Sequence, residues 1–262
     1  MRRAALLFSA TVLTIVLTSG VAGAILNGQP DGNRHPYVGA LVTVLDGQNV
    51  AVCSGTLISA EVFVTAGHCT DFIEDEGLPT FVSFDPTFDQ QSEILPGAPH
   101  THPLYRQMPG PGLPEFDAYD VGVVFLEKPA EMDRYGELPE ENSFDELQRG
   151  QRLSAVGYGA NDFQVGGGLP RPIYFDVRYR ADVKLVNTNN RISDMFLKLS
   201  GASAGNGRQG TCFGDSGGPI FLPDQTTIVG NNSFVTNGRC AGVTYAQRMD
   251  LPKVLNFVEQ YL

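Results

Sequence analysis

The stretch "CSGTLISAEVFVTAGHC", residues 53 to 69, holds two short apolar runs back to back and closes on a histidine beside a cysteine. Runs of this kind recur as "YVGALVTVL", "DVGVVFLEKP", "RLSAVGYG", "IYFDVRYRADVKLV" and "TTIVGNNSFV", separated by Gly, Pro and Asn. Many short strands with turn residues between them indicate an all-β barrel or sandwich. Helical periodicity is missing until the end. There, Leu251, Val254, Leu255, Val258 and Leu262 fall on one face, with Asp250 as the expected N-cap and Pro252 in the first turn, predicting a short C-terminal helix over 251–262. "MPGPGLPEF" (108–116) and "QVGGGLP" (164–170) read as loops. No internal repeat is visible, and a polar stretch over 131–150 divides two halves.

At 262 residues the chain can bury a substantial core as one large domain or two small ones. A formal charge of −11 argues against a nucleic-acid partner, because phosphate binding is driven by clustered Lys and Arg. Arg2 and Arg3 precede the apolar run "AALLFSATVLTIVL", and Ala22 and Ala24 in "VAGA" fit a small-x-small cleavage signal. Residues 1–24 are therefore read as an export signal. The competing reading, an uncleaved anchor, is weakened by Thr11, Thr14, Thr18 and Ser19. Export implies an oxidising compartment, so Cys53, Cys69, Cys212 and Cys240 are expected to form two disulfides, with three connectivities open on spacing alone. There is no CxxC pair or Cys/His cluster at ligand spacing, so no metal site is expected. The acidic run Asp71, Glu74, Asp75 and Glu76 lacks the spacing of a calcium loop and reads as a solvated surface.

Chemistry enters with "GTCFGDSGGPI", residues 210–220, which sets Ser216 between an aspartate and two glycines. A serine hydroxyl is a poor nucleophile unless a base, an orienting acid and an oxyanion site accompany it. "VTAGHC" offers His68 as the base, next to a cysteine whose disulfide could fix its backbone. "AYDVGVVFL" offers Asp120 immediately before an apolar strand, where a buried acid could hold the imidazole tautomer; Asp117, in the preceding polar loop, is the decoy. His35, His100 and His102 read as surface or packing residues. "NNS" at 231–233 fits a glycosylation sequon, but Ser233 falls in a strand expected to bind substrate, and the motif is set aside.

With "TAGHC", "YDVGVVFL" and "GDSGGP" in that order, and "HPLY" (102–105) and "GYG" (157–159) as lesser matches, the chain resembles the secreted serine endopeptidases of the chymotrypsin/trypsin family. The resemblance runs from Ile25 almost to the C-terminus. It implies two antiparallel β-barrels, roughly 25–135 and 136–250, with the active site between them. It also implies that Ser216 attacks the scissile carbonyl, His68 carries the proton, Asp120 orients His68, and the N–H groups of Gly214 and Ser216 bind the oxyanion. The family pattern pairs Cys53 with Cys69 and Cys212 with Cys240. Protein or peptide substrates, no cofactor, no membrane contact after signal removal and a monomeric state follow from the same likeness.

The chain departs from the trypsin-like pattern at the specificity pocket. Gly210, six positions before the nucleophile, stands where trypsin-like members carry an acid, and Thr211 follows it. Phe213 and the segment Ser233, Phe234 and Val235 complete the expected substrate-binding set, with Val235 narrowing the mouth and Gly242 or Val243 as the opposite wall. Small or medium apolar side chains are the expected preference. "ILNG", residues 25–28, resembles the family's activating N-terminus, so that removal of the signal after Ala24 would free Ile25 to pair with Asp215. The rival class is a catalytically inactive, protease-like binding protein.

Overall fold

The computed structural model describes residues 25–108, 116–164, 171–174, 176–187, 194–203 and 207–262. The expected signal segment and most of the two expected Gly/Pro loops lie outside these. Among the described residues no helix is long and apolar enough to cross a membrane.

Two closed six-stranded antiparallel barrels make up the body. The first comprises β1 (Val38–Leu45), β2 (Gln48–Leu57), β3 (Val62–Thr65), β4 (Phe81–Ser83), β5 (Leu95–Thr101) and β6 (Gly122–Leu126), closed in the order β1-β2-β3-β6-β5-β4. β1 and β2 form a hairpin in which Leu45 faces Gln48 across Asp46 and Gly47, both at positive φ, the conformation whose twist matches the flanking strands. The stretch that opens the sequence argument supplies β2 and β3, and its apolar residues Leu57, Val62, Phe63 and Val64 are buried in the first core.

The second barrel comprises β7 (Arg152–Gly157), β8 (Tyr179–Asn187), β9 (Phe196–Ser200), β10 (Pro219–Phe221), β11 (Ile228–Val235) and β12 (Val243–Arg248). Its order is β8-β7-β10-β11-β12-β9, with β8 pairing β9 to close it. Alternation along β7 and β8 turns Leu153, Ala155, Val183 and Leu185 inward and leaves Arg152, Asp182 and Lys184 outside. The N-terminal segment joins this barrel and not the first. Ile25 is fully buried in the second core, and Gln29–Pro30 pairs with Tyr179–Arg180.

Two expectations about helices need correction. A helix, α1 (Gly67–Asp75), follows β3, where the sequence suggested only a strand and a solvated acidic run. It is nine residues long and buries Gly67, Cys69, Thr70 and Ile73, while the acids fill its other side. The C-terminal helix, α2 (Pro252–Glu259), has Pro252 in its first turn, but its N-cap is Leu251. Asp250 instead accepts the Phe144 N–H at 2.9 Å and two guanidinium bonds from Arg248. Phe257 takes the place expected for Leu262 on the buried face, and Leu262 is exposed.

A buried polar cluster ties the barrels together. Arg178 donates to the carbonyls of Val38 and Phe84 and to Tyr158, Asn33 and Asp31. Asp31 also receives His35 Nδ1 at 2.5 Å, and these bonds outweigh burial and hold its carboxyl below the usual range. His35 and His102 are packing residues, both buried, and His100 stacks on Tyr261.

Candidate active site

The three motifs meet in the cleft between the barrels. His68 lies in the first turn of α1, and the disulfide Cys53–Cys69 ties that turn to β2. An imidazole nitrogen lies within 4.8 Å of both sulfurs, which as a disulfide offer no thiolate to a metal. Asp120 is the middle residue of a three-residue turn closed by Val121 N to Tyr119 O at 2.7 Å, just before β6.

Asp120 is completely buried, yet every contact it makes supports a negative charge. Its Oδ2 lies 3.0 Å from His68 Nδ1, its Oδ1 accepts the His68 backbone N–H at 2.8 Å, and Ser233 Oγ donates to Oδ2 at 2.5 Å. Burial pushes the carboxyl up, but the His68 charge, the His68 side-chain bond and Ser233 together hold it below the usual range. Its own N–H is bound by Gln247 Oε1, and Asn231 Nδ2 bridges its carbonyl to that of Thr65. Asn231 is buried in these bonds and cannot serve as a glycosylation site in the folded chain. The His68 side chain is 29% exposed and faces the same cavity as Ser216.

The loop carrying Ser216 is anchored from the first barrel. Ser54 N donates to Ser216 O at 2.8 Å, and Ser54 Oγ donates to Gly214 O at 2.9 Å. Gly214 sits at φ +90°, where a side chain would be strained and would press on Gly159. Among the described residues neither the Gly214 nor the Ser216 N–H has an acceptor. Asp215, also completely buried, accepts N–H groups from Cys212 at 2.8 Å and Gly159 at 2.9 Å. The glycines of "GYG" make room for it: a Cβ at Gly157 would lie 2.4 Å from its Oδ1, and one at Gly159 2.5 Å from its Cγ. Burial pushes this carboxyl up to about 7, with the two backbone bonds offsetting only part of the cost. Nearby, Leu26 pairs with Gly210 and packs against the second disulfide, Cys212–Cys240. In this uncut chain the Ile25 nitrogen is a peptide nitrogen and carries no charge.

A cavity of about 230 Å³ opens beside Ser216. Thr211, Phe213, Ser233, Phe234 and Val235 line it; Gly210 does not. A Cβ at Gly210 would lie 2.2 Å from the Ala202 nitrogen, so that position is sealed by backbone. Thr244 lines the cavity, whereas neither Gly242 nor Val243, the expected candidates for the opposite wall, does. A bulge between Asn232 and Phe234 sets Thr244 across from Val235, while Val243 joins Phe196, Phe234 and Tyr245 in a side cluster. Thr211 and Thr244 bond hydroxyl to hydroxyl at 2.9 Å, and among the described residues no carboxylate lines the cavity.

Two six-stranded barrels with this cleft define a serine-type endopeptidase. The family model Trypsin matches residues 27–256, and the chain belongs to that family. Among solved structures, neuropsin, a serine protease expressed in the limbic system of mouse brain, is 19% identical, with a TM-score of 0.65 over 90% of this chain and 99% of its own. HL collagenase is likewise 19% identical, with a TM-score of 0.65 over 90% of this chain and 97% of its own. A comparison with curated proteins returned no match.

Proposed function

We propose that the protein is an exported, monomeric endopeptidase that cleaves peptide bonds through an acyl-enzyme on Ser216. His68 acts as general base and then general acid, Asp120 holds its tautomer, and the N–H groups of Gly214 and Ser216 receive the oxyanion. The observation that carries this reading is the buried Asp120 carboxylate held 3.0 Å from His68 Nδ1, with Ser216 sharing the His68 cavity. The pocket walls favour small or medium apolar residues before the scissile bond: Val235 and Thr244 narrow the cavity, and among the described residues nothing in its lining neutralises Arg or Lys.

Activation follows from Asp215. A cut before Ile25 creates an ammonium group on a residue already buried in the second core, and an unpaired buried carboxylate is the natural acceptor for it. Signal removal after Ala24 would thus be the activating step.

A fluorophosphonate probe and a peptide library test the reading together. The secreted protein should begin at Ile25, label at Ser216, and cleave alanyl, valyl or leucyl peptides at least as fast as arginyl or lysyl ones. Ser216→Ala should abolish both labelling and cleavage. Absence of labelling in the protein starting at Ile25 would favour the inactive binding protein instead.

A further inference from the structure

Tyr119, one residue before Asp120, has φ +54°, a left-handed conformation that aromatic residues rarely adopt. Asn or Asp can ease such a backbone with a local hydrogen bond, and a tyrosine cannot. Because Tyr119 O closes the turn onto Val121 N, the direction in which Asp120 leaves the backbone depends on this strained residue. Something must hold it there.

The holder is the C-terminal helix acting through His102. The Tyr119 ring stacks on His102 with centroids 5.0 Å apart and planes 7° from parallel, and the Lys253 ammonium sits 5.5 Å from its centroid. His102 is itself fixed at both nitrogens: Leu104 N donates to Nδ1 at 3.0 Å, and Nε2 donates to the Lys253 carbonyl at 3.1 Å. Its backbone N–H reaches Val121 O at 3.1 Å, on the other side of Asp120, and its ring packs on Phe257 of α2. Burial keeps the imidazole pKa below its usual value, which preserves the one tautomer that fits both partners.

We infer that Tyr119 is a positioning residue for Asp120, held in its left-handed backbone by His102 and by Lys253 of the C-terminal helix, so that this helix sets the His68–Asp120 geometry. The inference rests on the triad reading given above.

The test is the pH profile of peptide hydrolysis by the protein starting at Ile25. In Tyr119→Ala, kcat should fall about tenfold with KM within about twofold, since an acid displaced by a fraction of an ångström orients the base poorly. The acid limb of the profile should also move to lower pH, because Asp120 supports the His68 imidazolium less well. Tyr119→Phe keeps the ring and should behave as wild type. Lys253→Ala, on an exposed helix position, guards against misfolding of the first variant. Loosening predicts a limb shifted down in this variant, whereas loss of a nearby positive charge alone would shift it up. An unshifted or upward-shifted limb in Lys253→Ala, a wild-type profile in Tyr119→Ala, or equal losses in Tyr119→Ala and Tyr119→Phe would overturn the inference. Failure of the triad reading would show separately, as activity that survives Ser216→Ala.

Discussion

Asp120 and Asp215 are both completely buried, the first just before β6 and the second beside Ser216. One is held below the usual carboxylate range and the other is pushed up to about 7. The difference is in their partners. Asp120 faces an imidazole that can carry charge, a hydroxyl and a backbone N–H; Asp215 has two backbone N–H groups and, among the described residues, no cation. Burial alone therefore does not decide ionisation; the first site is complete in the uncut chain, and the second lacks a positive charge.

The largest effect should come from removing the charge where it is complete. Asp120→Asn keeps the shape but presents an amide to His68 Nδ1, and kcat should drop roughly 10⁴-fold, the magnitude known for this change in the triad that serves as the family's template. A loss under about tenfold would mean that Asp120 does not orient the base.

Asp215→Asn should next cost the protein starting at Ile25 about 3 to 5 kcal/mol of ordering free energy, and with it most activity. In a form extended before Ile25, the sign reverses. A carboxyl whose folded pKa is raised contributes stability that is full below about 4 and is lost as pH rises towards about 7. Denaturant unfolding of the extended wild type should thus weaken by about 4 kcal/mol over that window, and Asp215→Asn should flatten the dependence. Equal slopes in the two proteins would show that Asp215 is already paired before the cut.

The two sites differ also in how far they can be read from sequence. The strands are legible because alternation and apolar runs survive in "CSGTLISAEVFVT" and "RLSAVG", and His68, Asp120 and Ser216 sit in motifs whose order carries the family likeness. Partnership across the barrels is not legible. Ser54, Asn231 and Gln247 hold the site from far along the chain: Asn231 and Asp120 are 111 residues apart, Gln247 and Asp120 127, and Ser54 and Gly214 160. Nothing local marks them. Helix α1 is hidden because a single short amphipathic turn-and-a-half of buried positions, Cys69, Thr70 and Ile73, looks like the end of a strand followed by acids. Thr244 is missed because a bulge in β11 shifts the register of its neighbour, and a register shift has no signature in the residues that undergo it.

The smallest change brings Asp120 one step towards the condition of Asp215. Ser233→Ala removes the 2.5 Å hydroxyl donor and leaves the two His68 contacts in place. A hydrogen bond to a charged group contributes about 1.5 to 3 kcal/mol, so the Asp120 carboxyl should titrate at a higher pH than in wild type while remaining ionised near neutrality. For a carboxyl with a depressed pKa, stability is present above the unfolded value and lost as pH falls through the folded one. Acid unfolding of Ser233→Ala should accordingly begin at a higher pH, with kcat reduced by no more than about tenfold because His68 keeps its orienting partner. Two measurements settle it, an acid denaturation curve and a rate at neutral pH. An unmoved acid midpoint would mean that the hydroxyl adds nothing to the charge on Asp120 and that His68 alone separates the two carboxylates.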